Sequence, residues 1–453
     1  MNFLAHCTCQ TTLLLVAFFG AANTVAADAP QVVKLIPANG ADDVNPGLRV
    51  LSITFDRDMN IGGRSLCGGG PSFPEIKGRI HWKGKKTLII PVRLKPDHDY
   101  ALMLNCPAAH NFQSADGTPL VPVPWNFSTR SKTPKLSKAK QKKLNARSLK
   151  QLMKLLREKY SYYDYRDVDW SALLKKHRRK IIAASSTRSW VKRVAKMLSP
   201  AKDPHMWLTY RSSPTATYRR SVRANFDLRG VKTLLPGLTH RNSVLYSVRT
   251  DDNIGYVLIT TLAPQQKEDM QKVQDTLRTY RDCKAMVIDL RPNSGGDETL
   301  AKDIAAWFVK GDKVYAKHVY RDPNSDNGFG QVLSRVISGN KPPNRFDKPV
   351  AVLTGPAIMS SAEALLLMMK QGSHVTLIGT KSYGSSGNPK PHKLKNDVTV
   401  FIPSWKAMRP DGTCFEGEGI RPDIEVKASP NEFRTGDPVL QRALRLLRKN
   451  DNR

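Results

Sequence analysis

The sequence predicts an α/β layered core, preceded by a helical subdomain and by a separate all-β sandwich. Three observations predict it. From residue 254 onward, buried-strand runs (Ile254–Thr260, Met286–Leu290, Val350–Thr354, Val375–Ile378, Val398–Ile402) alternate with helix-patterned stretches (Glu298–Val309, Ala362–Gln371). Leu149, Leu152, Leu155 and Leu156 stand at helical spacing and form one apolar stripe. Before residue 130 the pattern is short alternating runs punctuated by Gly, Pro and Asn/Asp clusters, as in a small antiparallel sandwich. A chain of 453 residues suits two or three domains, and 40% hydrophobic content supplies sizeable cores.

Taken in order, residues 1–27 read as a secretory signal peptide. Leu13–Phe19 is apolar, and Val25-Ala26-Ala27 offers a small-residue cleavage site before Asp28; the leading stretch departs from the pattern in lacking Lys and Arg. The apolar run is too short to span a bilayer, and no later stretch reaches spanning length. The expected protein is therefore exported, periplasmic or extracellular. Residues 31–130 carry the sandwich runs Val32–Ile36, Leu48–Phe55, Arg79–Trp82, Thr87–Val92, Tyr100–Leu104 and Pro124–Thr129. Residues 131–142 read as a basic linker rich in Lys, Ser and Pro. Residues 143–208 read as helical, broken near Tyr160–Asp169 and at Ser185–Ser186, and residues 209–450 as the α/β core, closed by a helix over Asp437–Leu447.

Two segments carry chemistry. Pro349–Thr354 is a short strand, Gly355-Pro356 a bend, and Ser360-Ser361 opens an apolar helix. A hydroxyl there sits where free backbone N–H groups and the helix dipole favour negative charge. Acyl transfer needs that environment beside its nucleophile, because the tetrahedral intermediate is an oxyanion. The plainer alternative is helix capping, since Glu363 follows Ser360 by three residues. The second segment is the strand Ala285–Leu290, which runs through Arg291-Pro292-Asn293-Ser294 into Gly295-Gly296 and a helix. Paired glycines let a backbone N–H approach a ligand closely, although most such pairs only turn the chain.

Together these segments resemble the tail-specific or C-terminal-processing serine proteases, a family that includes the tricorn core and the interphotoreceptor retinoid-binding modules. The matching residues are Asp289, Arg291, Asn293, Gly295 and Gly296, then Ser360 and Glu363. Leu198–His205 is similar to the family's Leu-x-Asp-x-His segment, and Glu416–Val426 to its Glu-Gly-x-Gly-x-x-Pro-Asp-x-x-Val. The resemblance spans roughly residues 135–450. It implies Ser360 as nucleophile, and an oxyanion site built from the N–H groups of Gly295 or Gly296 and of Ser361. One branch of the family uses a Ser–Lys dyad. Here the lysine position falls at Ser385, and Lys381 stands four residues early. The tricorn-like branch uses Ser, His and Glu, which implies His205 as base and Glu416 as the carboxylate of the system. Pro204 occupies the position where that branch has a serine beside its histidine. A histidine base implies activity that rises through a pKa near or somewhat above neutrality. Many members insert a PDZ domain before the core; Thr209–Asp252 is about half the length one needs, so none is expected. The sandwich is similar to bacterial immunoglobulin-like domains attached to exported enzymes.

Lys+Arg 72 against Asp+Glu 39 gives a net charge of +33. No zinc-finger spacing, aromatic RNA-binding motif or DNA-reading helix accompanies that charge, so no specific nucleic-acid partner is expected. A basic surface suits contact with anionic envelope polymers or lipid, or is simply solvated. Of the cysteines beyond the leader, Cys67 and Cys106 fall in one domain and are the favoured disulfide; Cys283 and Cys414 flank the chemical segments. No metal-ligand spacing or cofactor motif is present. Two readings compete: a serine endopeptidase that cleaves unfolded or extended polypeptide through an acyl-enzyme on Ser360, and a non-catalytic peptide- or ligand-binding module on the same fold.

Overall fold

A computed structural model describes residues 29–106, 109–130, 136–211 and 213–449. The expected signal peptide and residues 131–135 of the expected linker lie outside them. The chain divides after Pro134 into two compact units.

The first unit is strand-rich. Its strands are β1 Val32–Ile36, β2 Val50–Phe55, β3 Leu66–Cys67, β4 Glu75–Ile76, β5 His81–Lys83, β6 Thr87–Arg93, β7 Asp99–Leu104 and β8 Val123–Ser128. They form two antiparallel sheets, one in the order β1-β2-β6-β4 with β5 also on β6, the other β3-β7-β8. Burial alternates along β2, β6 and β7, so alternate side chains of both sheets meet in one core around Phe55, Phe112, Trp125 and Phe127. Cys67 and Cys106 form the disulfide, and Cys283 and Cys414 are free.

The second unit opens with α1 Lys138–Lys159, α2 Trp170–Ile182 and α3 Thr187–Leu198. The expected breaks between them are present. The first helix, however, begins inside the stretch expected as linker. Ser137 accepts from the Lys140 N–H as N-cap, and the Lys, Ala, Gln and Leu residues that follow are good helix formers. Next come β9 Trp207–Tyr210, β10 Ser213–Ala216, α4 Leu228–Leu234, β11 Thr239–Asn242, β12 Leu245–Arg249, β13 Ile254–Ile259, α5 Lys267–Thr279, β14 Ala285–Asp289 and α6 Glu298–Ala305. The rest is β15 Asp312–Tyr320, β16 Leu333–Ser338, β17 Val350–Thr354, α7 Ser361–Met369, β18 Val375–Gly379, β19 Pro389–Lys393, β20 Thr399–Pro403, β21 Trp405–Met408, β22 Ile424–Glu425, α8 Pro430–Thr435 and α9 Pro438–Lys449.

The central sheet has seven strands in the order β11-β12-β13-β14-β17-β18-β22. From β13 to β22 the pairings are parallel. Both faces are buried, so the strands read as continuous apolar runs. Val257, Met286, Ile288, Val350 and Val352 face α5, α6 and α7. Tyr256, Leu258, Val287, Ala351 and Leu353 face α4 and α9. One expected core strand belongs elsewhere. Val398–Ile402 contributes β20 of a separate sheet, β10-β9-β20-β19, and its Val400 and Ile402 pack into the helical layer with Leu152, Trp190 and Leu198. Period-2 alternation fixes which face of a strand is buried, not which sheet it joins. The boundary expected at residue 208 therefore runs through β9. A smaller sheet, β16-β15-β21, completes the unit.

Parallel strands end on the same edge of a sheet. The turns that follow β14, β17 and β18 consequently emerge side by side, at the carboxyl edge where open α/β sheets place their ligand crevices.

Candidate active site

Ser360 stands in the turn between β17 and α7 with φ +59° and ψ −132°, a conformation few non-glycine residues adopt. The turn is held from two sides. The Ser360 N–H donates to the Ser385 carbonyl at 2.8 Å and to Glu363 Oε2 at 3.1 Å. The expected capping contact to Glu363 thus exists, yet it leaves the hydroxyl pointing elsewhere: Ser360 Oγ lies 3.0 Å from His205 Nε2.

His205 arrives from the helical layer. After α3 the chain makes a 3₁₀ turn at Ser199–Ala201 and passes through Lys202 at φ +50°. Asp203 then fixes the approach, accepting the His205 N–H at 2.8 Å through Oδ1 and the Tyr160 hydroxyl at 2.8 Å through Oδ2. Pairing of β9 with β20 carries the segment onward. The ring's other nitrogen, Nδ1, lies 2.8 Å from Ser385 Oγ. In the tautomer that lets Nε2 accept a proton from Ser360, Nδ1–H donates to Ser385. Burial is the largest influence on the imidazole and lowers its pKa below 6.5; Asp203 opposes that shift, and Arg166 and Arg220 add to it. This burial favours a lower pKa than the sequence suggests.

Ser385, the residue that the sequence puts at the lysine position of the Ser–Lys pattern, thus lies against the histidine ring. Lys381 is exposed. Glu416 is placed differently from a carboxylate that orients the imidazole directly. It accepts the Ser386 N–H at 2.8 Å and pairs with Arg166. Arg166 also reaches Asp203 at 3.7 Å and donates to the Ala201 carbonyl at 3.0 Å and the Lys202 carbonyl at 3.2 Å. One guanidinium thus ties the histidine segment to the Glu416 segment. Burial pushes the Glu416 carboxyl up, against the pull of Arg166.

Glu363 is the hub of the nucleophile turn. Besides Ser360 it accepts from the Ser382 hydroxyl at 2.5 Å, the Gly384 N–H at 2.7 Å and the Ser385 N–H at 3.0 Å. Burial raises its pKa to about 7, while all four donors favour the carboxylate. Sequence reasoning gave Glu363 only a capping role. It missed Ser385 and Arg166 as parts of the site, although the vacancy at Pro204 and the serine at the lysine position were both visible.

The glycine pair lies against the same turn. Gly295 has φ +97°, and a Cβ on it would lie 2.6 Å from the Met359 carbonyl and 2.9 Å from Ser360 Cβ. Its N–H already donates to Asn293 Oδ1 at 2.9 Å. Gly296 has φ +145°, and a Cβ there would come within 2.0 Å of the Leu262 carbonyl. Its own carbonyl accepts the Ser361 hydroxyl at 2.7 Å, whereas the Ser360 hydroxyl meets His205. Alanine at either glycine disturbs backbone packing, so such a variant does not isolate a lost donor. The strand end behind the pair is clamped by Arg291. It is fully buried between Asp289 at 2.6 Å and Asp437 at 2.7 Å, and Asn293 ties the turn to the Ile259 carbonyl at 3.2 Å. Among the described residues no group of three or more His, Cys, Asp or Glu is arranged to hold a metal ion.

Residues 253–426 match the family model Peptidase family S41. The core is a peptidase family S41 domain. The chain is 24% identical over 200 residues to the carboxy-terminal processing protease CtpB of Bacillus subtilis, covering 44% of this chain and 39% of that protein. It is 25% identical over 208 residues to CtpA of the same organism, covering 46% and 41%. The chain thus spans about two fifths of the length of these curated relatives. A putative peptidase from Parabacteroides merdae shares the fold, with TM-score 0.58 at 22% identity, over 66% of this chain and 96% of that one. The family is one of serine-type peptidases. No helix among the described residues is long and apolar enough to cross a membrane.

Proposed function

We propose that this chain is an exported serine endopeptidase that hydrolyses unfolded or extended polypeptide through an acyl-enzyme on Ser360. The observation that carries the reading is the line Ser360 Oγ, His205 Nε2, His205 Nδ1, Ser385 Oγ, with contacts of 3.0 and 2.8 Å. His205 takes the Ser360 proton as the hydroxyl attacks a peptide carbonyl, then returns it to the leaving amine. Water, activated by the same imidazole, hydrolyses the ester. The oxyanion is assigned to the N–H groups of Ser361 and Gly296, because the Gly295 N–H already has an acceptor. Glu416 and Arg166 act at one remove, holding the two segments that carry Ser386 and His205. The leader at 1–27 and the immunoglobulin-like character of residues 31–130 belong to the same reading: an exported enzyme with an attached β-sandwich.

Ser385 receives a positioning role. Ser385→Ala removes the acceptor for Nδ1–H while keeping the main-chain contact to Ser360. A lost neutral partner at a buried site is worth about 10- to 100-fold in kcat. The pH profile separates this role from a merely structural one. A histidine base must be neutral, so kcat/KM rises with pH, and the lowered pKa of His205 puts that limb below about 6.5. In Ser385→Ala the limb should move, and Ser385→Thr should restore both limb and rate. An unchanged limb and rate in Ser385→Ala would remove Ser385 from the mechanism.

A further inference from the structure

Among the described residues, one cation beside the nucleophile turn lacks an ion-paired anion. Arg166 is neutralised by Asp203 and Glu416, and Arg291 by Asp289 and Asp437. Arg220 has neither arrangement. Its guanidinium lies over the Tyr383 ring, 5.0 Å from the centroid, and its Nη1 is sealed from solvent with no hydrogen-bond partner among the described residues. Stacking supplies a face for the cation but no acceptor for its N–H groups.

The place is specific. The Tyr383 N–H donates to the Ile358 carbonyl at 2.8 Å, just as the Ser360 N–H donates to Ser385 at 2.8 Å. The ring under Arg220 is thus two residues from the hydroxyl that touches His205, on the strip that pairs with the nucleophile turn. The guanidinium is near enough for its charge to act on both His205 and Glu363. Yet no carboxylate among the described residues takes it. Glu363 already accepts four hydrogen bonds, Glu416 is held by Arg166 and Ser386, and Asp203 by Tyr160, His205 and Arg166. Leaving a buried guanidinium N–H unpaired is costly unless a bound group supplies the acceptor.

We propose that Arg220 is the receptor for a carboxylate of the peptide substrate, held beside Ser360. The inference rests on the peptidase reading and deepens it: the enzyme prefers a peptide with an acidic side chain close to the bond cut. A planar guanidinium pairs a carboxylate in bidentate fashion, which gives orientation as well as affinity. The net charge of +33 draws acidic chains toward the surface, and Arg220 selects where their carboxylate seats.

The test uses the full chain carrying Ser360→Ala, so that peptide stays intact. Fluorescein-labelled octapeptides of one sequence carry Asp or Asn at one position, each with a free or an amidated C-terminus. Binding is followed by fluorescence anisotropy at about 0.15 M salt, where distant surface charge is screened. The carboxylate peptide should bind about tenfold tighter than its uncharged partner. The Asp/Asn pair carries the test, and a preference that follows only the free C-terminus overturns it. Adding Arg220→Gln should abolish the preference, and Arg220→Lys should keep part of it, a readout that a loop-stacking role would not move. If Arg220→Gln does not fold, as a thermal melt shows, Arg220→Lys carries the test through a preference between that of the parent and none. A preference undiminished in the folded variant, or none in the parent, overturns the proposal. Labelling of Ser360 by a serine-directed reagent is scored separately. Labelling without a carboxylate preference removes only the Arg220 inference, and a preference without labelling removes only the peptidase reading.

Discussion

His205→Ala should lower kcat on an unstructured polypeptide by about 10⁴-fold or more, with KM changed far less. The imidazole is the only base within reach of Ser360 Oγ among the described contacts, at 3.0 Å, and an un-ionised serine is a weak nucleophile without one. Its loss acts on the transition state, where the proton moves, and not on peptide binding, so kcat takes the effect. Lys381→Ala should keep most of the activity, because that side chain is exposed and outside the hydrogen-bond line. Circular dichroism and a thermal melt of His205→Ala check that the fold survives. A kcat loss in Lys381→Ala matching that of His205→Ala, with both proteins folded, would replace the histidine mechanism with a lysine one.

Arg291→Met should destabilise the second unit by about 3–5 kcal/mol, among the largest losses any single substitution there would produce. The variant leaves Asp289 and Asp437, both fully buried, without the guanidinium that bonds each of them and the Asn225 carbonyl. At roughly 2–4 °C per kcal/mol for a domain of this size, the melting temperature should drop on the order of 10 °C. Asp437 also caps α9, accepting the Leu440 N–H at 3.1 Å, so the damage reaches both the strand end and the closing helix. The measurement is a urea midpoint at fixed pH. A loss under about 1 kcal/mol would mean that the buried triad relaxes or admits water. Asp437→Asn in the Arg291→Met background should recover part of the loss, because it removes one stranded charge.

Much of this was legible in the chain. Buried on both faces, β13, β14 and β17 announce themselves as continuous apolar runs, and the polar turn after each marks the edge where chemistry gathers. The Ser360 joint and the His205 segment could be named from local pattern. Ser385 could not, because it meets His205 across 180 residues of sequence, and only the parallel order of β17 and β18 brings their turns together. Glu363 was readable as a capping partner from its spacing to Ser360. Its role as a four-donor hub depends on residues 382–385, which arrive from another strand. Arg166 lies in the loop between α1 and α2 with no local sign that it will bridge two buried carboxylates. The misplacement of Val398–Ile402 has the same origin: alternation reports a buried face, whereas sheet membership is decided by long-range pairing with β9. The helix start at Lys138 was obscured because lysine-rich composition reads as linker, although lysine is a good helix former once Ser137 supplies a cap.

The central claim is that Ser360 is an activated nucleophile, and covalent labelling tests it most directly. The folded chain is incubated with a fluorophosphonate reagent, digested and mapped by mass spectrometry. The account predicts one modified residue, Ser360, with labelling abolished in Ser360→Ala, strongly slowed in His205→Ala and retained in Ser361→Ala, whose hydroxyl is engaged with the Gly296 carbonyl at 2.7 Å. No labelling of the folded protein, labelling that survives Ser360→Ala, or a modified Ser361 would contradict it, and the first of these would favour a binding module on the same fold.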